Sequence, residues 1–260
     1  MRARKRFGQH FLHDPAVIRR IIAAVAAHTD GPVVEIGPGR GALTQLLLEL
    51  NGSLDAIEID RDLAALLRER FARAPRFVLH ETDALDFDFA ALARERGARL
   101  RIVANLPYNI STPLLFHLLG EPAAISDMHL MLQREVVDRL VAPPGGRDYG
   151  RLTVMLAPWV HIERLFDIGP GAFSPPPRVW SAMVHLTVRA APTFTVSPHF
   201  SRVVTAAFAH RRKTLRNALK GLVSAQQIAA CALDGGARPE TLPPEAFNAL
   251  ARTLDACAES

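Results

Sequence analysis

Short apolar runs alternate with amphipathic stretches along the first two thirds of the chain, and the period switches between two and 3.6. Val17, Ile18, Ile21, Ile22 and Val25 recur at helical spacing between Pro15 and Ala27, with Asp14 as candidate N-cap and Pro15 at the first helical position. Val33–Ile36 then reads as a strand, Gly37–Gly41 as a tight turn, and Ala42–Leu50 as a helix carrying Leu43, Leu46, Leu47 and Leu50 on one side. The alternation continues. A second strand over Leu54–Ile59 is followed by a helix over Leu63–Phe71, and a third strand over Arg76–His80 ends near Asp83. A fourth, the apolar run Leu100–Ala104, stops at Asn105-Leu106-Pro107-Tyr108, because Pro107 has no N–H with which to continue a ladder. Pro113–Leu119 reads as a helix, Met128–Leu132 as a fifth strand and Arg134–Val141 as a short helix.

Ala142–Asp148, with Pro143-Pro144-Gly145-Gly146 at its centre, is the clearest loop, and Leu152–Leu156 fits helix and strand equally. Val160–Ile168 and Val179–Val188 read as the last strands. Strands alternating with helices predict a doubly wound α/β domain. After the linker Ala190–Thr193 every periodic segment is helical, with breaks at Gly235-Gly236 and Pro243-Pro244. The expected division is therefore a catalytic domain over 1–189 and a small helical domain over 190–260.

Composition narrows the setting. With 260 residues and 49% hydrophobic content, the chain can bury one large core and a smaller second one. No apolar run approaches the roughly 18 residues of a membrane span, and the basic start lacks the apolar core of a secretory signal, so the expectation is a cytoplasmic protein without a membrane partner. An excess of 31 basic over 26 acidic residues favours a polyanionic partner. Cys231 and Cys257 make neither a disulfide framework nor a metal cluster, and no metal is expected.

In an open α/β sheet, ligands sit beyond the carboxyl ends of the strands. Gly37-Pro38-Gly39-Arg40-Gly41-Ala42 fits the dinucleotide pattern formally, yet Glu35 just before it would repel a pyrophosphate and suit a cationic ligand. Glu58, ending the second strand, is placed for two ribose hydroxyls, and Asp83 for an adenine amino group. Taken singly, both read equally as solvated loop acids. Together, three acids at successive strand ends describe a nucleoside with a cationic tail, and S-adenosylmethionine fits.

At the polar corner, the Asn105 side-chain oxygen and a backbone carbonyl at Leu106 or Pro107 can accept both N–H bonds of an exocyclic amine, freeing its lone pair for a methyl group. Tyr108 can stack on the base. Phe173, ahead of Pro175-Pro176-Pro177, reads either as a second aromatic wall around an extruded base or as the apolar anchor of its loop. Farther on, the spacing predicts one helix through Phe208–Lys220. Phe208, Leu215, Leu219 and Leu222 share one face, while Arg212, Arg216 and Lys220 form a row that can follow a phosphate backbone, with Arg211 and Lys213 adjoining. A merely solvated face is the alternative.

These residues resemble the small-subunit ribosomal RNA adenine N6,N6-dimethyltransferase family along nearly the whole chain. The matching motifs run from Lys5–Leu12 through Glu35-Ile36-Gly37-Pro38-Gly39, Glu58-x-Asp60, Asp83-Ala84 and Asn105–Ser111 to Gln133–Val136, Tyr149–Leu152 and Phe173–Ser181. The resemblance implies a class I methyltransferase fold with a seven-stranded Rossmann-like sheet and a helical RNA-binding domain. It further implies cofactor contacts by His10, Leu12, Gly37, Glu58, Asp83 and Asn105, with Glu35, Gly39, Gly41 and Ala84 in the same site. The implied substrate is a pair of adjacent adenosines near the 3′ end of 16S rRNA in an assembling small subunit. The chain is expected to act as a monomer. Many members carry Asn where this chain has His10, which carries over a backbone contact there and leaves the side-chain contact open. The nearest enzymatic rival is a large-subunit rRNA adenine methyltransferase; an assembly factor whose binding outweighs its chemistry is the rival from another class. A DNA methyltransferase lacks support because no target-reading domain is evident.

Overall fold

The computed structural model of the protein describes residues 9–27, 31–107, 110–210 and 212–258, with side chains to residue 255. Its elements are β1 (Phe11–Leu12), α1 (Pro15–Ala26), β2 (Val33–Ile36), α2 (Thr44–Asn51), β3 (Leu54–Glu58), α3 (Arg61–Arg70), β4 (Phe77–Glu81), α4 (Phe89–Arg96), β5 (Leu100–Asn105) and α5 (Ser111–Leu118). They continue with β6 (Ile125–Gln133), α6 (Arg134–Leu140), α7 (Arg151–Leu156), β7 (Val160–Ile168), β8 (Phe173–Ser174), β9 (Ser181–Val188), α8 (Phe200–Phe208), α9 (Leu215–Ala218), α10 (Ala225–Ala230) and α11 (Pro244–Ala258).

Seven strands form one sheet in the order β4-β3-β2-β5-β6-β9-β7. The central pairs β2–β3, β2–β5, β3–β4 and β5–β6 are parallel, and β9 returns antiparallel to β6. Strands buried on both faces need continuous apolar sequence. Accordingly, every residue of β2 and β3 is buried, as are the first five of β5. Strand order reverses between β2 and β5, which places a crevice at their carboxyl ends. At α1 the predicted cap is present: Asp14 Oδ1 accepts from Ala16 N at 2.8 Å and Val17 N at 3.3 Å.

A polar cluster around Arg101 interrupts the apolar interior. Arg101, 1% exposed, donates to Asp127 Oδ2 at 3.1 Å and to the Val25 carbonyl at 2.8 Å. His129 Nδ1 lies 3.2 Å from Asp127 Oδ1, and the His129 and His185 rings stack with centroids 4.3 Å apart. Burial pushes the Asp127 carboxyl up, but the His129 hydrogen bond and the Arg101 charge together hold it below its ordinary value.

Two compact units emerge: Met1–Val137 with His161–Ala190, and Asp138–Val160 with Ala191–Ser260. The single cut expected after residue 189 does not anticipate that 138–160 packs with the helical unit. Tyr149 and Val154 bury among Phe200, Val204, Leu219 and Phe247, and the Tyr149 hydroxyl donates to the Leu242 carbonyl at 2.9 Å. Residues 151–156, which fit either period, are helical.

The predicted helix through Phe208–Lys220 is corrected: α8 ends at Phe208 and α9 starts at Leu215. Thr214 is extended, and the N–H groups of Leu215 and Arg216 donate to Ala237 and Gly235 carbonyls at 2.8 and 3.0 Å instead of to the preceding turn. The ladder therefore stops and restarts. No helix among the described residues is long and apolar enough to cross a membrane.

Candidate active site

The turn after β2 needs left-handed backbone at three glycines, with φ of 68° at Gly37, 59° at Gly39 and 77° at Gly41. Gly37 N donates to the Ile57 carbonyl at 2.9 Å and Gly41 N to the Pro38 carbonyl at 2.8 Å, which folds the loop back over the end of β3. A Cβ on Gly39 would stand 3.3 Å from the Phe11 ring. Gly41 faces the other way, its missing side chain aimed at Leu67 of α3 and at Phe71 just past its end, each at 3.3 Å. Of the three, Gly37 and Gly39 line the cavity below and Gly41 does not. Its requirement is close packing, a correction to its expected place in the cofactor site.

A cavity of about 290 Å³ opens at the carboxyl ends of β2, β3, β4 and β5. Glu35, Glu58, Asp83 and Ala84 line it from successive strand ends, and His10, Leu12 and Phe173 close it from the small antiparallel pair β1–β8. Asn105, Leu106 and Pro107 complete the wall. Every described residue assigned from sequence to the cofactor or the reaction lines this cavity except Gly41. Tyr108 and Arg211 lie outside the described residues, as does the basic start of the chain.

The three acids are held differently. Glu35 is 3% exposed, and its Oε2 accepts from Thr44 Oγ1 at 2.7 Å. Burial lifts its carboxyl to about 7; the Thr44 hydrogen bond opposes the rise and the Glu58 charge adds to it. Glu58 accepts from Gly39 N at 3.1 Å and Asp60 N at 2.9 Å, one bond to each oxygen. Burial raises it as well, against those backbone bonds. Each Glu58 oxygen retains lone-pair capacity beyond its one backbone bond. Asp83, partly exposed, accepts from Leu85 N at 2.9 Å through Oδ1.

Asn105 is oriented by its own amide: Nδ2 donates to the His10 carbonyl at 3.3 Å, which leaves Oδ1 as the acceptor. His10 turns its ring to the Pro175 carbonyl, 2.7 Å from Nδ1. Its backbone carbonyl thus holds Asn105, and the residue also lines the cavity. Phe173 is 3% exposed and packs within the core that holds Leu12, so it anchors its loop and walls the cavity at once.

Sequence reasoning gave no role to several lining or supporting groups. Gln9 donates to Asp60 Oδ2 at 3.1 Å, and Asp60 Oδ1 caps α3 through Asp62 N at 3.0 Å. Arg40 stacks over Phe11 at 4.4 Å from the ring centroid, and Ile59 stands 45% exposed at the mouth. Thr44 and Gln9 belong to recognisable motifs, but only the fold brings them to their carboxylates. Arg212, Lys213, Arg216 and Lys220 are exposed and belong to the helical unit.

A buried carboxylate without a counter-cation among the described residues, and backbone-fixed glycines with no Cβ in the way, suit a ligand with a cationic tail and a flat, polar-edged ring. The profile of the family described as ribosomal RNA adenine dimethylase matches residues 1–255. Ribosomal RNA small subunit methyltransferase A of Pseudomonas aeruginosa is 54% identical over 260 residues, covering 97% of this chain and 95% of the relative. The protein of the same name from Nitrosococcus oceani is 54% identical over 256 residues and 96% of each chain. Among solved structures, the 23S rRNA methyltransferase ErmE superposes with a TM-score of 0.71 at 28% identity, over 94% of this chain and 99% of that one. A dimethyladenosine transferase from Plasmodium falciparum shares the fold with a TM-score of 0.79 over 96% of this chain and 98% of that one, at 23% identity.

Proposed function

The chain belongs to the ribosomal RNA adenine dimethylase family, and from that premise we propose that it carries methyl groups from S-adenosylmethionine to N6 of two adjacent adenosines near the 3′ end of 16S rRNA. The setting is the assembling small subunit in the cytoplasm. One observation carries the reading: Asn105, tied through Nδ2 to the His10 carbonyl, lines the cavity beside the acids of β2, β3 and β4.

S-adenosylmethionine supplies a methyl group made electrophilic by its sulfonium. Glu35 supplies the buried negative charge for the cationic part of the donor, Glu58 accepts from the ribose, and Asp83 accepts at the adenine edge. The exocyclic amine of the target base is a poor nucleophile because its lone pair is delocalised into the ring. Asn105 Oδ1 and a carbonyl at Leu106 or Pro107 accept its two N–H bonds and draw the nitrogen toward tetrahedral geometry. Such preorganised groups contribute on the order of 3 kcal/mol each, by analogy with oxyanion-hole donors. Phe173 and Tyr108 hold the base, and the proton released by the methylated amine leaves to water. Arg211, Arg212, Lys213, Arg216 and Lys220 supply phosphate contacts from the helical unit.

Labelled-methyl transfer to undermethylated small subunits, with large subunits and naked RNA beside them, tests the reading. Incorporation at two adjacent adenosines of the small subunit is expected. Incorporation into large subunits alone would overturn it. Asn105→Ala should bind the donor and transfer about 100-fold more slowly.

A further inference from the structure

Trp180 is 51% exposed, and Val179 beside it is 43% exposed. Arg178 adjoins them and is exposed too. The indole is nonetheless well supported. Trp180's carbonyl accepts from Arg134 N at 2.9 Å, one step beyond the last β6–β9 pair, Gln133 with Ser181. The ring rests over Gly169, where a Cβ would stand 3.6 to 3.9 Å from three of its atoms, an ordinary contact distance. A fixed backbone and a glycine floor hold the ring while leaving half of it to solvent.

Its position matters. Asn105 pairs with Met131, and Met131 with Met183, three residues from Trp180. Two strand spacings across and three residues along put the Trp180 backbone about 14 Å from that of Asn105, displaced toward the carboxyl edge where the cavity opens. Phe173, which walls the cavity, begins the loop that Trp180 ends.

We propose that Trp180, with Arg178 beside it, is a stacking platform for an unpaired base flanking the adenosine that enters the cavity. The inference rests on the RNA-methylating reading above. Extruding one base strips its neighbours of a stacking partner, a cost of a few kcal/mol in the substrate. An exposed indole close to the opening restores that stack. RNA is read in this way, by aromatic faces and arginine planes against splayed bases, with cations for the adjoining phosphates. The net charge of +5 fits a polyanion better than an acidic or neutral protein surface.

Two readouts test the platform. The chain has two tryptophans, so Trp159→Phe leaves Trp180 as the sole indole reporter; a short single-stranded oligoribonucleotide should quench its fluorescence. In methyl transfer to undermethylated small subunits, Trp180→Ala should raise KM about 5- to 100-fold, with kcat and donor affinity unchanged, and Trp180→Phe should recover most of the loss. An unchanged KM in Trp180→Ala overturns the proposal, and so does a Trp180→Phe variant as impaired as Trp180→Ala, which would indicate packing. A KM defect on whole subunits without oligonucleotide quenching also overturns it, in favour of a ribosomal protein contact. If the wild-type chain methylates no small subunit, the functional reading fails, and the quenching result decides Trp180 by itself.

Discussion

Replacing Glu35 with Gln should stabilise the cofactor-free protein while weakening the site. Burial raises the Glu35 carboxyl from 4.5 to about 7. At about 1.4 kcal/mol for each tenfold change in proton affinity, the native state carries a penalty of roughly 3 kcal/mol once the group is ionised in both folded and unfolded chains. The sign follows from a raised acid: the folded protein binds the proton more tightly than the unfolded one. The penalty is absent below the unfolded pKa, grows between pH 4.5 and 7, and is complete above 7. Gln keeps the shape and an acceptor for Thr44 Oγ1 but never ionises. Urea denaturation of the apoprotein should therefore show a gain of the variant over wild type that increases by roughly 2 to 3 kcal/mol between pH 5 and pH 8. Isothermal titration with S-adenosylmethionine at pH 8 should show weaker binding by the same variant. A stability difference that does not change with pH would refute the reasoning, because it would mean that Glu35 is not held at an electrostatic cost.

Further outcomes follow from the same geometry. Donor binding near pH 7 should release protons as Glu35 ionises, read by calorimetry in two buffers of different ionisation enthalpy; equal heats in both would exclude the linkage. Arg101→Met should cost about 3–5 kcal/mol in denaturant melts by leaving Asp127 buried beside its histidines, and Arg101→Met with Asp127→Leu should recover much of that. Gly41→Ala should cost about 1–3 kcal/mol, since φ of 77° is left-handed and the new Cβ meets Leu67 and Phe71. Gln at positions 212, 216 and 220 together should leave the melting curve in place and flatten the salt dependence of RNA binding, by about 0.7 in log-log slope for each phosphate that is no longer neutralised.

The sheet was legible because most of its strands are short apolar runs that end at polar, proline or glycine residues, and the parallel core needs little else. The acids were legible for a related reason: a strand's carboxyl end is a fixed address, so Glu35, Glu58 and Asp83 could be placed from position alone. What escaped the sequence depends on distant pairing. Phe11 and Leu12 are strand residues only because Ser174 and Phe173, far along the chain, lie opposite them. Helix α4 carried local signals, with Asp88 accepting from Ala91 N at 2.7 Å and Gly97 left-handed at its end; its weakly amphipathic Phe89–Arg96 hid them. The basic segment misled for the opposite reason. Its helical period is real, yet Gly235 and Ala237 take the N–H groups that a continuous helix would use.

The acids also divide the work between affinity and geometry. Glu58 already accepts two backbone N–H groups, so its oxygens are fixed before any ligand arrives. Glu35 has one hydroxyl partner and a burial penalty that a cation can offset. A donor with a cationic tail therefore recovers at Glu35 part of what folding lost there, and its stabilising effect should be larger above pH 7 than at pH 5. Asn105 needs none of this electrostatic strain, because accepting one neutral N–H bond requires only a fixed oxygen. The His10 carbonyl fixes it, through a residue that the short β1–β8 pair holds against the cavity. On the proposed mechanism the residue before β1 orients an amide through its backbone carbonyl, so a changed side chain at position 10 should leave methyl transfer largely intact as long as that carbonyl keeps its place.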